Sequence, residues 1–71
     1  SFVMFEQDEL DYIESIKLAD STIQTSKVSC KKLDAIYARV NGIKSKDCFC
    51  SMVRRKIFIK DFFIWYEGLT R

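Results

Sequence analysis

The stretch DCFCSMVRRKIFIKDFFIWYE, Asp47 to Glu67, decides how this chain is read. Taken as a helix, it has two apolar surfaces. One carries Phe49, Met52, Val53, Ile59, Phe63 and Ile64, with Lys56 and Lys60 long enough to reach outward past them. The other carries Ser51, Arg54, Arg55, Phe58, Phe62 and Trp65. A helix apolar on two sides is the central element of its domain or is covered by a partner. The competing reading makes Ile57–Ile59 and Phe62–Tyr66 two strands, since such residues favour sheets. Lys60-Asp61 between them lacks the Gly or Asn that a two-residue hairpin turn needs. The helix is preferred.

Working outward, the residues just before this stretch hold the clearest helix signals. Leu33, Ile36, Tyr37 and Val40 follow the i, i+3, i+4, i+7 pattern. Ser29 is placed to cap the start, with Val28 and Leu33 as a staple around it. Asn41-Gly42 ends the helix, Gly42 suiting a left-handed terminal position and Ile43 the contact after it. The spacing therefore predicts a helix over residues 30–41. Further upstream, Asp8, Glu9 and Asp11 favour a helix N-terminus, and Leu10, Ile13 and Ile16 recur at helical spacing. A first helix is expected over about 8–19. Asp20-Ser21-Thr22 and Thr25-Ser26 then read as a connector and hinge.

The expected fold is thus a single all-α domain over residues 4–71, with three helices at about 8–19, 30–41 and 47–67. Ser1-Phe2-Val3 ahead of Met4 reads as an expression scar. The composition agrees with a helical domain. Of 71 residues, 48% are hydrophobic, with 2 Gly and 0 Pro, too few turn formers for a sandwich or barrel. A chain this short buries only about 60% of its unfolded surface, so it needs dense helix packing, a staple or association.

Function classes narrow in the same way. There is no His, which removes the commonest general base and metal ligand together. No Gly-rich phosphate loop or nucleophile elbow is present. The expectation is a protein that is not an enzyme, with no cofactor and no small-molecule substrate. The N-terminus has no signal-peptide pattern and no apolar run approaches the ~20 residues of a membrane span. Three cysteines, an odd number, fit a reducing, cytoplasmic setting.

Charge is divided along the chain. Residues 1–20 hold six acids against Lys17, whereas residues 21–71 hold eleven Lys and Arg against Asp34, Asp47, Asp61 and Glu67. The acidic segment packs across the basic one, or both are solvated faces, or the basic half meets a polyanion.

Three site readings follow. Arg54, Arg55, Phe58, Phe62 and Trp65 together have the composition of a protein-interface hot spot, serving a partner or a second copy of the chain. The alternative for the aromatics is a place in the core beneath the first helix. Secondly, Ala38, Gly42 and Ile43 fit three places of a helix-turn-helix, while Asn41 and Ser51 stand where apolar residues are expected. Duplex DNA would then meet Lys44, Lys46, Arg54 and Arg55. Thirdly, Cys30, Cys48 and Cys50 could ligate zinc with Asp47 as a fourth ligand, in a spacing unlike the usual paired thiols. Lys46 beside the Cys48-Phe49-Cys50 segment would lower a thiol's pKa. The simplest reading of the cysteines is small hydrophobes.

From Leu33 to Glu67, the helix Leu33-x₂-Ile36-Tyr37-x₂-Val40-x-Gly42, then Cys48-x-Cys50-x₃-Arg54-Arg55, then Trp65-Tyr66-Glu67, resembles small helical proteins encoded by tailed phages, notably those infecting Bacteroidetes. The resemblance covers about half the chain. It implies a phage product in the host cytoplasm that acts on DNA, the virion or a host protein, and it brings no catalytic residues.

Overall fold

In the computed structural model, residues 4–69 are described; the scar assigned to residues 1–3 lies outside them. All regular structure is helical: α1 (Gln7–Lys17), α2 (Ser21–Gln24), α3 (Lys27–Asn41) and α4 (Met52–Leu69). No strand occurs among the described residues, and 57–66 lie within α4. The all-α expectation and the long C-terminal helix are as anticipated; a fourth, short helix is additional.

The added helix occupies the expected hinge. Asp20 caps α2 by accepting from the Ile23 amide at 3.0 Å. The turn is then tied on both sides. Gln24 donates to the Ile16 carbonyl at 3.0 Å, and Ser29 donates to the Ile23 carbonyl at 2.8 Å. The same small polar residues that mark a connector here fasten it.

This arrangement also corrects the start of α3. Ser26, not Ser29, is the cap, accepting from the Ser29 amide at 3.1 Å. Ser29 lies inside the first turn and is buried, while Val28 is exposed and forms no staple. The C-terminus follows expectation. Gly42 sits at φ +66°, and the Ile43 amide returns to the Ala38 carbonyl at 3.0 Å.

The largest departure is the start of the last helix, expected at 47 and found at Met52. Asp47 accepts from the Phe49 amide at 2.9 Å, closing a local turn in place of a helix cap. Phe49 then takes φ +53°, which no helix interior accommodates, and its ring is buried in the core. Ser51 caps α4 through the Arg54 amide at 3.4 Å. The connection between α3 and α4 therefore spans residues 42–51, well beyond the three- to four-residue turn of a helix-turn-helix.

The core collects Ile13 and Ile16 of α1, Cys30, Leu33 and Ile36 of α3, Ile59, Phe62 and Tyr66 of α4, and the loop residues Phe5 and Phe49. α3 packs against each of the other helices. Ion pairs join α1 to both long helices, one along the charge division and one against it. Arg39 of α3 pairs with Glu9, and Lys17 with Glu67 of α4 at 2.5 Å. The Lys32 ammonium stands 4.4 Å from the centre of the Tyr12 ring. Part of the charge division is thus consumed within the fold. No helix among the described residues is long and apolar enough to cross a membrane.

Candidate functional site

The aromatic face of α4 and the i, i+3, i+4 face of α3 meet along one seam. Trp65 meets Tyr37 edge-on at 4.7 Å between ring centres, and Phe62 at 5.5 Å. Phe58 touches Phe62 at 5.9 Å and Phe49 at 4.9 Å. Most of these rings cross steeply, the favoured geometry for aromatic pairs. Helical spacing on each helix sets the seam: Phe58, Phe62 and Trp65 are successive turns of α4, and Asp34 and Tyr37 successive positions of α3.

Of the five residues expected to form an interface, Phe62 is only 2% exposed and lies in the core. It is the floor of the seam, where no partner can reach it. Phe58 and Trp65 are half-buried against that core. Trp65 also meets Phe5 at 6.0 Å. The physical reason is packing. α3 and the loops cover Phe62 together with Ile59, which the wheel had put on the opposite face, so the inner surface draws on both.

The two arginines have local duties. Arg55 donates through Nε to the Thr25 carbonyl at 2.8 Å and through Nη1 to the Phe49 carbonyl at 2.6 Å. It thereby satisfies the end of α2 and fixes the loop that carries Phe49. Arg54 pairs with Asp47 at 2.5 Å, and this holds the Asp47 carboxyl below the usual carboxylate range. Of the four residues offered to DNA, Arg55 is therefore engaged internally, Arg54 is paired yet exposed, and Lys44 and Lys46 are exposed on the loop.

The three cysteines do not converge. Cys30 is fully buried, with burial pushing its thiol pKa up, whereas Cys48 and Cys50 are exposed on the loop. Among the described residues no group of three or more His, Cys, Asp and Glu is placed to hold a metal ion. The Cys48 thiol is lowered by a hydrogen bond from Cys50, not by Lys46.

Beside the aromatic seam is a cavity of about 260 Å³ lined by Asp34, Tyr37, Phe58, Asp61, Phe62 and Trp65. Sequence reading found its α4 aromatics but missed Asp34 and Tyr37 as their companions. The signal available was a carboxylate, Asp34, next to the apolar stripe of α3. Burial pushes the Asp34 carboxyl up, and the charge of Asp47 adds to this; the Ser45 hydroxyl donates to it.

The opposite side of α4 is different in kind. Val53, Ile57 and Ile64 are 66%, 53% and 63% exposed and share one face of the helix. Leu18, Ile23, Val28 and Ile43 are also exposed, on other elements of the chain. No protein-family model matches the chain, and no curated protein or solved structure gives a match.

Proposed function

We propose that this protein is a small non-catalytic binding module that works through a protein interface on α4 and associates with itself. The observation that carries the reading is the exposed stripe Val53, Ile57 and Ile64, continued by Gly68. From Val53 to Gly68 the stripe runs about 22 Å along the helix. A chain short of core surface gains most by covering such a face.

The stripe is self-complementary when two copies of α4 lie antiparallel about a twofold axis between Lys60 and Asp61. Ile57 then faces the second copy's Ile64, Val53 lies over the second copy's Gly68, and Lys60 is level with the second copy's Asp61. Each contact occurs twice, as an isologous interface requires. The anchors thus move from Phe58, Phe62 and Trp65, flanked by Arg54 and Arg55, to the residues on the reverse of the helix. The resemblance to phage-encoded proteins suits a small adaptor of this kind acting in an infected host.

Light scattering over a range of concentrations, with and without duplex DNA, tests the proposal. A dimer mass is expected, reduced to monomer in Ile57→Ser/Ile64→Ser with helicity unchanged. A monomer at every concentration refutes self-association. A mass increase only when DNA is added moves the function to the exposed Lys44, Lys46 and Arg54.

A further inference from the structure

The geometry points to the cavity between α3 and α4 as a binding site for an alkylammonium cation, held against Tyr37, Phe58 and Trp65 and between the carboxylates of Asp34 and Asp61. The site is lined by α3 and by the Phe58–Trp65 side of α4, and it shares Asp61 with the proposed twofold contact, so binding is measured on the monomeric variant as well as on the parent.

Three observations converge on a cation. The first is the wall material. Tyr37 and Trp65 meet at an interplanar angle of 72°, Phe62 and Trp65 at 60°, so the rings form the corner of a box and not a flat slab. Aromatic faces attract cations through their quadrupole, and converging aromatic rings are how methylated ammonium groups are recognised.

The second is charge. Residues 21–71 are strongly basic, yet three of their four acids, Asp34, Asp47 and Asp61, collect at this one edge. Arg54 takes up Asp47. Asp34 and Asp61 have no ion-pair partner among the described residues. Asp34 is half-buried, and among the described residues its carboxylate accepts from a neutral hydroxyl, that of Ser45. A partly desolvated carboxylate without a cation is costly, and an entering cation would remove that cost.

The third is space. About 260 Å³ is open at the seam, and its floor, Phe62, is locked by packing on Phe58, Trp65 and Tyr66. A preformed pocket of this sort binds without a rearrangement to offset. Neither an anion nor a metal ion fits. Two carboxylates oppose the first, and for the second no group of three or more His, Cys, Asp and Glu is gathered among the described residues.

Two sources share the chemistry: a free quaternary ammonium compound, or a lysine side chain presented by a partner. Trp65 is the protein's single tryptophan and lines the cavity, so its fluorescence reports occupancy directly. Choline, its neutral isostere 3,3-dimethylbutan-1-ol, and Nα-acetyl-lysine amide would be titrated in turn. Saturable quenching by choline or the lysine amide is expected, at least tenfold tighter than by the neutral isostere, and the better of the two identifies the source. Asp34→Asn/Asp61→Asn, checked for helicity by circular dichroism, is expected to weaken binding at least tenfold. Ile57→Ser/Ile64→Ser, which leaves Asp61 clear of a second copy's Lys60, is expected to bind at least as tightly as the parent, and a failure of self-association therefore leaves this test intact. Equal binding of the neutral isostere, retention of affinity in the double Asn variant, or no saturation by either cation would overturn the proposal.

Discussion

α3 and α4 pack on each other, but they present opposite characters to the outside. α3 shows water Lys27, Lys31, Lys32 and Arg39, a charged back to an apolar front. α4 shows water Val53, Ile57 and Ile64 among Arg54, Lys56, Lys60 and Asp61, so its back carries an apolar stripe that the back of α3 lacks. The core needs one apolar face from each helix, and both supply it. The second face on α4 is surplus to the fold. It exposes apolar surface to water without stabilising the monomer, so it points to a use beyond folding.

The contrast between the two faces of α4 gives the largest expected effect. Phe62→Ala removes a ring that packs on Phe58, Phe63, Trp65 and Tyr66, and should cost about 3–5 kcal/mol. For a domain this small, that loss approaches the whole folding free energy. Ile57→Ser, one turn away on the other side, should change monomer stability by less than about 0.5 kcal/mol. Urea unfolding of both at low protein concentration makes the comparison. Equal losses would mean that the outer stripe belongs to the core.

Part of this contrast was legible in the sequence. Periodicity on 47–67 shows apolar residues all round, but the two faces drawn from it are not the inner and outer ones: Phe49 and Ile59 are buried, Val53 and Ile64 from the same expected face are exposed, and Ile57 stood on neither. The division depends on where Tyr37, Phe5 and Phe49 arrive, and that is tertiary. Phe49 also misled the boundary. At the level of sequence, an apolar residue three before Met52 extends a helical face; in the fold it is a loop residue at φ +53° plugging the core. The end of α3 was readable because Gly42 has a local physical role, and local rules suffice for it. The start of α3 was not, because Ser26 and Ser29 satisfy the same capping rule and only the path of α2 chooses between them. The cavity was half visible: its α4 aromatics stood out, whereas Asp34 is one more acid until the fold places it beside them.

The inner face also contains the molecule's strongest perturbation of a titrating group. Tyr66, 4% exposed, donates to a Glu14 carboxylate oxygen at 2.9 Å. Burial, followed by that bond to Glu14, pushes its pKa up to about 12. The sign follows from linkage. A phenol raised from about 10 in the unfolded chain supports the fold fully below pH 10, and the support is lost as pH rises toward 12. The amount at stake is on the order of 2–3 kcal/mol. Tyr66→Phe should cost about 1 kcal/mol at neutral pH and flatten the loss of stability between pH 10 and 12. An unchanged alkaline profile would mean that Tyr66 ionises in the folded protein without penalty.

On the outward-charged helix the expected changes are smaller and lie at its end. Gly42→Ala meets no atom within 4 Å, so its cost is purely conformational. At φ +66° that should be about 1 kcal/mol. Melting should fall without any change in self-association, because the cap is remote from the α4 stripe. A loss of dimer in this variant would couple the two helices in a way their separate faces do not suggest.

The smallest effects are at acid pH, where two carboxylates, Glu9 paired with α3 and Asp34 on it, should act in opposite directions. A hydrogen bond from Arg39 lowers Glu9. Its contribution is present above the ordinary glutamate pKa and is lost as pH falls through the depressed value. Asp34 is raised, by burial first and by Asp47 second. Its penalty is present above that raised value and vanishes as pH falls below the ordinary aspartate pKa. Glu9→Gln should therefore make the stability profile between pH 3 and 5 flatter, and Asp34→Asn should make it steeper while raising stability at pH 7 by about 0.5 kcal/mol. Thermal melts across that pH range would read both slopes. Loss of stability at pH 7 in Asp34→Asn would show that its bond from Ser45 outweighs the burial of its charge, and would make this carboxylate a structural brace of the loop before it is a cation receptor.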